Sequence, residues 1–286
     1  MGPEIIALLS AMGWAGDAIL VRLGARTSNI FAAAFMSYFV SALCIWVYLV
    51  GGSRLQSLGS PATIYFVLSG CFQPLLARLL YYTAITRLGV SRAAPLRAIS
   101  PLFALILAVI FLRERPAPIV YAGTALIVAA VWMISWTQSG ERQWKLLDIL
   151  FPVGAALVAA VSQNLRRGGL LIVSDPVAGA AVSTMTSLVL YFISLLVTGK
   201  LYLVRPEKGS FPFFMAAACI ATFAQLLNYI ALNLGQVSLM APLLDSTPLF
   251  SVLFSRLFLK DLEKVTPRVV LGAVLMVAGI AIIASR

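Results

Sequence analysis

Long apolar runs, separated by short polar connections, make up nearly the whole chain. Ten of them can be marked, at residues 4–23, 29–50, 61–87, 90–112, 116–137, 146–166, 175–198, 211–234, 237–259 and 266–284. A helix rises about 1.5 Å per residue, so a run of about 20 residues crosses a hydrocarbon core of roughly 30 Å. The connections contain helix breakers, as at Arg115-Pro116 and Gly168-Gly169. The pattern predicts ten transmembrane helices in an all-α membrane protein.

A stretch of 36 residues occurs twice in the chain. Residues 79–114 align with residues 226–261 without a gap, and 14 of the 36 pairs are identical. A repeat of this length in an apolar chain is typical of membrane proteins built from two related halves. The polar connection at 138–145 separates the copies, which we expect at 1–137 and 146–286. Five crossings are an odd number, so the second copy enters the membrane from the opposite side, which predicts inverted repeats.

The composition favours a surface that faces lipid. Hydrophobic residues make up 61% of the chain and charged residues 11%, with a mean hydropathy of +0.99. A soluble domain would carry about 25% charged residues. The net charge of +11 comes largely from clusters between the runs, such as Arg113 with Arg115 and Arg166 with Arg167. We interpret these clusters as contacts to lipid headgroups rather than to nucleic acid.

The chain lacks the residues that most enzyme and metal sites use. It contains no histidine, and Cys44, Cys71 and Cys219 stand alone inside apolar runs. We interpret these cysteines as packing residues. No phosphate-binding GxxxxGK[ST] motif is present, so we expect no nucleotide hydrolysis by this chain. The sequence predicts a protein that is not an enzyme and that holds no metal or cofactor.

Four ionisable residues lie well inside the apolar runs: Asp17, Arg78, Arg97 and Asp245. Each costs at least about 2.5–3.5 kcal/mol to insert, so each needs a reason. They either form structural ion pairs or face a hydrated cavity, where they bind substrate or a coupling proton. Arg78 and Arg97 are candidates for an anionic group, because a guanidinium binds a carboxylate through two bonds. Asp17 follows Trp14 by three positions, and together they could hold an ammonium group.

Polar residues at helical spacing correspond between the third and eighth runs. They are Arg78, Tyr81 and Tyr82 in the first copy and, at the repeat offset, Gln225, Asn228 and Tyr229 in the second. Each set shares one helix face. Such matched positions predict either the lining of a cavity or hydrogen bonds between helices. Gln163 in the sixth run is a further candidate for substrate binding.

Prolines also recur in both copies, at Pro95 and Pro101 and at Pro242 and Pro248. A proline removes one backbone donor and frees the carbonyl four residues earlier. Near the middle of a membrane such a kink is either a hinge or a static bend. Asp245 lies between the second pair, and Asp17 or Asp245 could exchange a proton with substrate, as an antiporter requires.

Glycines in the fifth and tenth runs have a simpler interpretation. Gly123, Gly272 and Gly279 are the positions concerned. Small residues on transmembrane helices let two backbones approach closely. We therefore expect these glycines to permit close packing of the fifth and tenth helices with their neighbours.

Several short motifs carry a resemblance to a known family. In the first copy they are Gly13-Trp14, Gly89 to Pro95, Pro101 to Phe103, Phe111 to Arg115, and Gly123. In the second copy they are Val237-Ser238, Pro242, Pro248 to Phe250, Phe258 to Asp261, and Gly272. With these motifs the whole chain resembles the drug/metabolite transporter superfamily, and within it the EamA-like ten-helix transporters. The resemblance implies a central cavity between the halves, lined chiefly by helices 1, 3, 4, 6, 8 and 9.

These observations predict a secondary transporter, an exporter or permease of small polar metabolites such as amino acids or amines. It would work by alternating access and could be coupled to protons. An integral-membrane enzyme acting on lipid-linked substrates is one alternative, although it would need clustered acids or a nucleophile beside a base. A passive channel or partner subunit is another. We expect a multi-pass protein of a bacterial or archaeal plasma membrane, either monomer or homodimer, that binds no nucleic acid.

The orientation of the termini stays open at this point. The family resemblance implies both termini in the cytoplasm. With that orientation, however, the connections carry 12 Lys and Arg outside against 6 inside. The positive-inside rule then favours both termini outside.

Overall fold

The computed structural model describes residues 2–52, 55–88, 93, 96–135, 145–258 and 267–285. All regular secondary structure in this part of the chain is helical. Seven of its helices are long and apolar enough to cross a membrane, and shorter apolar helices occupy the third, fourth and fifth predicted runs. Each of the ten runs therefore contains helix, and the predicted all-helical membrane fold is confirmed.

The helices of the first copy follow the predicted order. They are α1 (Pro3–Gly24), α2 (Ile30–Gly51), α3 (Ala62–Gly70), α4 (Ala77–Leu88), α5 (Ser100–Phe111) and α6 (Pro118–Ser135). A π-helical segment, Cys71–Leu76, joins α3 to α4, and inside it Gln73 leaves the helical region with φ −130° and ψ 122°. Pro74 follows Gln73 in the chain, and a proline forces the preceding residue out of the α region. The third span is therefore bent at this point.

The second copy repeats this order. Its helices are α7 (Leu150–Ile172), α8 (Pro176–Val197), α9 (Phe211–Leu234), α10 (Val237–Leu244), α11 (Thr247–Phe258) and α12 (Pro267–Ala284). Short 3₁₀ turns at Leu55–Gly59, Leu146–Ile149 and Leu201–Val204 lie in the connections. Asp175 caps α8, because its side chain accepts hydrogen bonds from Val177 N–H and Ala178 N–H, and Pro176 occupies the first turn.

One predicted boundary was wrong. The sixth run was expected to end at residue 166, with Gly168-Gly169 as breakers, but α7 continues to Ile172. Both glycines face aromatic rings of α3. A Cβ on Gly169 would lie 2.5 Å from the Phe66 ring, and one on Gly168 would lie 3.2 Å from Tyr65. These glycines lie inside α7, where the absence of a side chain allows α7 and α3 to approach closely.

Helix contacts between the copies occur in exchangeable pairs. Helix α1 packs on α9. The helices equivalent to them in the opposite copies, α7 and α3, also pack together. Likewise α2 contacts α9 as α8 contacts α3, and α1 contacts α11 as α7 contacts α5. The pairs α2 with α8 and α6 with α12 join equivalent helices directly. Two halves related by a pseudo-two-fold axis produce this contact pattern.

The fifth and tenth spans, α6 and α12, approach so closely that their backbones touch. A Cβ on Gly279 would lie 2.9 Å from the carbonyl oxygen of Gly123, and one on Gly272 would lie 3.0 Å from that of Ala130. A Cβ on Gly123 would lie 2.6 Å from the Ile283 side chain. The predicted close packing through these three glycines is confirmed.

Candidate functional site

Two breaks in the helices lie at equivalent positions of the two copies. The fourth span turns at residues 98–99 before α5 starts at Ser100, and the ninth turns at residues 245–246 before α11 starts at Thr247. A proline follows each start, at Pro101 and Pro248. Neither proline has an N–H to bond the carbonyl four residues earlier, that of Arg97 or Leu244. The second proline of each copy therefore accounts for the break.

The two breaks differ in how the freed carbonyl is satisfied. In the second copy, Thr247 Oγ1 donates a hydrogen bond of 3.3 Å to the carbonyl of Leu244. In the first copy, the equivalent residue Ser100 is 6% exposed, and its hydroxyl has no hydrogen-bond partner within the described residues. The Ser100 hydroxyl instead lies near the carboxylate of Asp245. At this one position, therefore, the hydroxyl of the first copy lacks a partner among the described residues, whereas that of the second copy is bonded.

Polar side chains from four spans meet at these breaks. Asp245 ends α10, and its carboxylate has Arg97, Gln163 and Ser100 as neighbours. The guanidinium of Arg97 lies 5.0 Å from the centre of the Tyr81 ring, a cation–π contact. We call Tyr81, Arg97, Ser100, Gln163 and Asp245 the polar cluster. It joins the third, fourth, sixth and ninth spans between the two halves.

Several buried atoms of the polar cluster are unsatisfied. Within the described part of the chain, Arg97 Nε, Ser100 Oγ, Gln163 Oε1 and Asp245 Oδ2 have no hydrogen-bond partner. A buried polar atom without a partner costs about 1–3 kcal/mol, and more when it is charged. Such groups are normally satisfied by protein, water or a ligand. The polar cluster therefore has the chemistry of a site for a polar ligand.

A second polar group lies further along α7, around Arg166. This side chain is 5% exposed, and its Nη1 donates a hydrogen bond of 3.2 Å to Asn228 Oδ1. Its guanidinium also lies 5.2 Å from the centre of the Tyr229 ring. The Tyr229 hydroxyl hydrogen-bonds Ser183, and it lies 3.3 Å from the hydroxyl of Ser69. The interpretation of Arg166 as a headgroup contact was wrong, because α7 carries it into the bundle.

Arg167 has a different role from its neighbour. Its Nη1 donates hydrogen bonds of 2.8 and 2.7 Å to the carbonyls of Leu232 and Asn233, at the end of α9. These carbonyls have no partner inside their own helix, and a cation at this end also complements the helix dipole. Arg167 therefore holds the end of α9 against α7.

Glu114 joins the two copies at the same end of the bundle. Its carboxylate accepts hydrogen bonds of 2.8 Å from Val237 N–H and 2.9 Å from Ser238 N–H, at the start of α10. Arg113, with φ 54°, turns the chain back after α5, and Glu114 N–H then donates to the carbonyl of Ala108. The acid of the first copy thus caps a helix of the second.

Comparison with known proteins places the whole chain in one family. The sequence profile of the EamA-like transporter family matches residues 1–136 and 146–285. The chain belongs to the EamA-like transporter family. The resemblance to the drug/metabolite transporter superfamily is thereby confirmed. The protein is an integral, multi-pass membrane protein of a transporter family, with a small-molecule substrate and the lipid bilayer as its partners.

The fold also occurs among solved structures. The alignment with one crystal structure covers 98% of this chain and 95% of the other, with a TM-score of 0.80 and 15% sequence identity. At this identity the likeness concerns the fold alone. The comparison with curated proteins gave no match.

Four of the predicted site residues of this family member come together: Tyr81, Arg97, Gln163 and Asp245 form the polar cluster with Ser100. Asn228 and Tyr229 lie apart from it, around Arg166, where they bond to other helices. Of the two outcomes foreseen for the matched polar positions, interhelical bonding has examples in Asn228 and Tyr229, and cavity lining stays a prediction. Their roles in transport stay predictions.

The remaining predicted residues are placed as follows. Trp14 and Asp17 lie half-buried on α1, and Gln225 lies half-buried on α9, the helix on which α1 packs. Arg78 and Tyr82 belong to α4, but their side chains lie outside the described part of the chain, as does Pro95. Pro242 lies inside α10, which continues to Leu244, so the break of the ninth span is not at this proline.

Sequence reasoning missed Ser100, Glu114 and Arg166. A signal for Ser100 was present, because a hydroxyl residue precedes the second proline in both copies, as Ser100-Pro101 and Thr247-Pro248. Arg166 was hidden by the pair Gly168-Gly169, which has the composition of a turn. Glu114 belongs to a motif that identified the family, but its partners lie in the other copy.

Proposed function

We propose that this protein is a secondary transporter of small zwitterionic or amine metabolites, amino acids above all, that works by alternating access. One observation carries the proposal. An arginine and an aspartate of opposite charge, Arg97 and Asp245, lie together at paired helix breaks with unsatisfied buried atoms. The polar cluster is the proposed substrate site.

The chemistry of the polar cluster matches an amino acid group by group. Arg97 would bind the carboxylate of the substrate, and its cation–π contact with Tyr81 would hold the guanidinium in place. Asp245 would bind the ammonium group, with Gln163 Oε1 as a second acceptor. Ser100 starts α5, so a carboxylate here would also face the positive end of a helix dipole. An amine without a carboxylate would use Asp245 alone.

The architecture supports alternating access. The exchangeable helix contacts of the two copies favour two conformations of similar energy, related by exchange of the shapes of the halves. In the conformation described, Glu114 links the end of α5 to the start of α10. Release of this link would let the halves separate at that end. With an odd number of spans in each copy, the repeats would be inverted, as this mechanism requires.

Proton coupling follows from the same carboxylate. When the ammonium group of a substrate leaves, Asp245 loses its ligand in a buried site. Uptake of a proton would neutralise this buried carboxylate, so that substrate and proton would move in opposite directions. Asp17 on α1 is the second candidate for this step. We propose a bacterial or archaeal plasma membrane as the location and a monomer or homodimer as the working unit.

Counterflow in reconstituted vesicles tests the proposed function. Vesicles preloaded with one of the twenty amino acids, or with phenethylamine, would be assayed for uptake of the same labelled compound. We expect saturable counterflow of at least one compound, its loss in Asp245→Asn, and no loss in Glu207→Gln, which changes an exposed acid. Absence of counterflow across the whole panel contradicts the proposal, and non-saturable flux would indicate a channel. Chemical conversion of a lipid-linked substrate in detergent would instead support the enzyme alternative.

A further inference from the structure

Arg166 has a buried positive charge that the proposed binding of one carboxylate and one ammonium group does not use. Its side chain is 5% exposed, and its Nε is buried without a hydrogen-bond partner in the described part of the chain. The described contacts of its guanidinium are Asn228 Oδ1 and the face of the Tyr229 ring, both uncharged. A buried charge without an opposite charge is costly, since its removal from water is not repaid.

The neighbouring arginine shows what a purely structural role looks like. Arg167 Nη1 is bonded to two backbone carbonyls at the end of α9, and Glu114 interacts with it electrostatically. These contacts account for its charge. Arg166 has no comparable contacts with backbone carbonyls or with an acid among the described residues, although it is less exposed than Arg167.

Arg166 also lies next to the polar cluster along the helix. Gln163 and Arg166 are three residues apart on α7, so they share one face and differ in height by about 4.5 Å. Both carry a buried atom without a partner, Gln163 Oε1 and Arg166 Nε. On α7, the polar face that includes Gln163 therefore extends by about one helical turn to Arg166.

The surroundings of Arg166 hold its guanidinium in one orientation. Asn228 Oδ1 accepts a hydrogen bond from Nη1, and the Tyr229 ring makes a cation–π contact with the guanidinium. Ser69 on α3 and Ser183 on α8 in turn fix the Tyr229 hydroxyl. A carboxylate can bind a guanidinium side-on through Nε and Nη2, and Asn228 bonds neither of these two atoms.

We propose that Arg166 binds a second acidic group of the substrate, which makes dicarboxylic amino acids the preferred class. This inference rests on the proposed function, with Arg97 and Asp245 binding the α-carboxylate and the ammonium group. The three charged residues Arg97, Arg166 and Asp245 sum to +1. Two carboxylates and one ammonium group sum to −1, so such a substrate neutralises the site. A neutral amino acid would leave the charge of Arg166 uncompensated.

Counterflow of L-glutamate against L-glutamine tests this inference, because the two differ in the side-chain acid and hardly in shape. In the wild-type protein we expect a kcat/KM at least tenfold higher for glutamate. In Arg166→Gln we expect the glutamate value to fall at least tenfold while the glutamine value changes less than twofold. Arg166→Lys, which keeps the charge but loses the two-bond geometry, should lie between them.

Arg167→Gln is the matched control. It removes the adjacent guanidinium and should lower the melting temperature without changing the ratio of glutamate to glutamine transport. Wild-type protein that transports glutamine as well as glutamate overturns the inference, even if Arg166→Gln does not fold. An unchanged ratio in a folded Arg166→Gln protein overturns it as well. Transport of neutral amino acids without glutamate keeps the proposed function and removes only this inference, whereas no transport of any amino acid or amine removes both.

Discussion

Glu114 caps a helix that begins at Val237, in the other copy of the repeat. The carboxylate accepts two hydrogen bonds, of 2.8 Å from Val237 N–H and 2.9 Å from Ser238 N–H, and Glu114 is only 9% exposed. A carboxylate on the free amides of a helix start is favoured by hydrogen bonding and by the helix dipole together. The relationship joins the two halves at one end of the bundle, where alternating access would require them to separate.

The first prediction concerns this link. Glu114→Ala should lower the free energy of unfolding by about 1–3 kcal/mol, because it leaves two buried backbone donors without acceptors. Glu114→Gln should cost less, since the amide oxygen can still accept a bond. The measurement is the thermal or chemical unfolding of the purified protein in detergent. Glu207→Gln serves as the control at an exposed acid, and an equal effect of both glutamine variants would contradict the role of Glu114.

The second prediction separates the two charges of the polar cluster. Arg97→Gln should raise the KM for an amino acid by about tenfold to a hundredfold, through loss of a charged hydrogen bond, and should spare an amine that lacks the carboxylate. Asp245→Asn should impair both compounds, because both have an ammonium group. Counterflow of L-phenylalanine and phenethylamine, or of whichever acid and amine pair the wild type transports, measures the difference. Equal losses for both compounds in Arg97→Gln would contradict the assigned contact.

The third prediction uses the two equivalent hydroxyl residues. Thr247→Val should lower the free energy of unfolding by about 1 kcal/mol, because the carbonyl of Leu244 loses its partner, and should leave the KM unchanged. Ser100→Ala removes a hydroxyl that has no partner, so it should leave the free energy of unfolding unchanged. It should instead raise the KM about twofold to tenfold. Both variants need unfolding and counterflow measurements, and the same response from both would show that the asymmetry has no consequence for transport.

The fourth prediction concerns the contact between α6 and α12. A Cβ at Gly279 would lie 2.9 Å from the carbonyl oxygen of Gly123, so Gly279→Ala must move one helix backbone. We expect a loss of about 1–3 kcal/mol in the free energy of unfolding. Gly51→Ala is the control, because a Cβ there meets nothing within 4 Å. A Gly279→Ala protein as stable as the wild type would show that the helices can separate without cost.

Much of the fold could be predicted because it depends on local composition and on the repeat. Each apolar run must be helical to satisfy its own backbone groups in lipid, and its length follows from the thickness of the bilayer. The glycines of α6 and α12 were recognisable for a similar reason, since small residues on such helices have few other uses. The end of α7 was missed because Gly168-Gly169 has the composition of a turn, and only the rings of Tyr65 and Phe66 show that it serves for packing.

The candidate site was predictable only residue by residue. The cost of a charge in lipid singled out Arg97 and Asp245, which lie in different copies, but no local rule could bring them together. The positions of the helix breaks were indicated by Pro101 and Pro248, whereas the presence of Ser100 beside Asp245 was not. Arg166 escaped notice because its burial depends on how α3, α8 and α9 surround α7.

The amino-acid sequence by itself determined the membrane location, the ten helical runs and the division into two related copies, because hydrophobicity, helix length and repetition are properties of the chain alone. The tertiary structure decided which polar groups meet at the helix breaks, which of two adjacent arginines is buried, and which acid caps a helix of the other copy. The physical reason is that hydrogen bonds and charge interactions act over a few ångströms, and only the packing of distant helices brings these groups within that range.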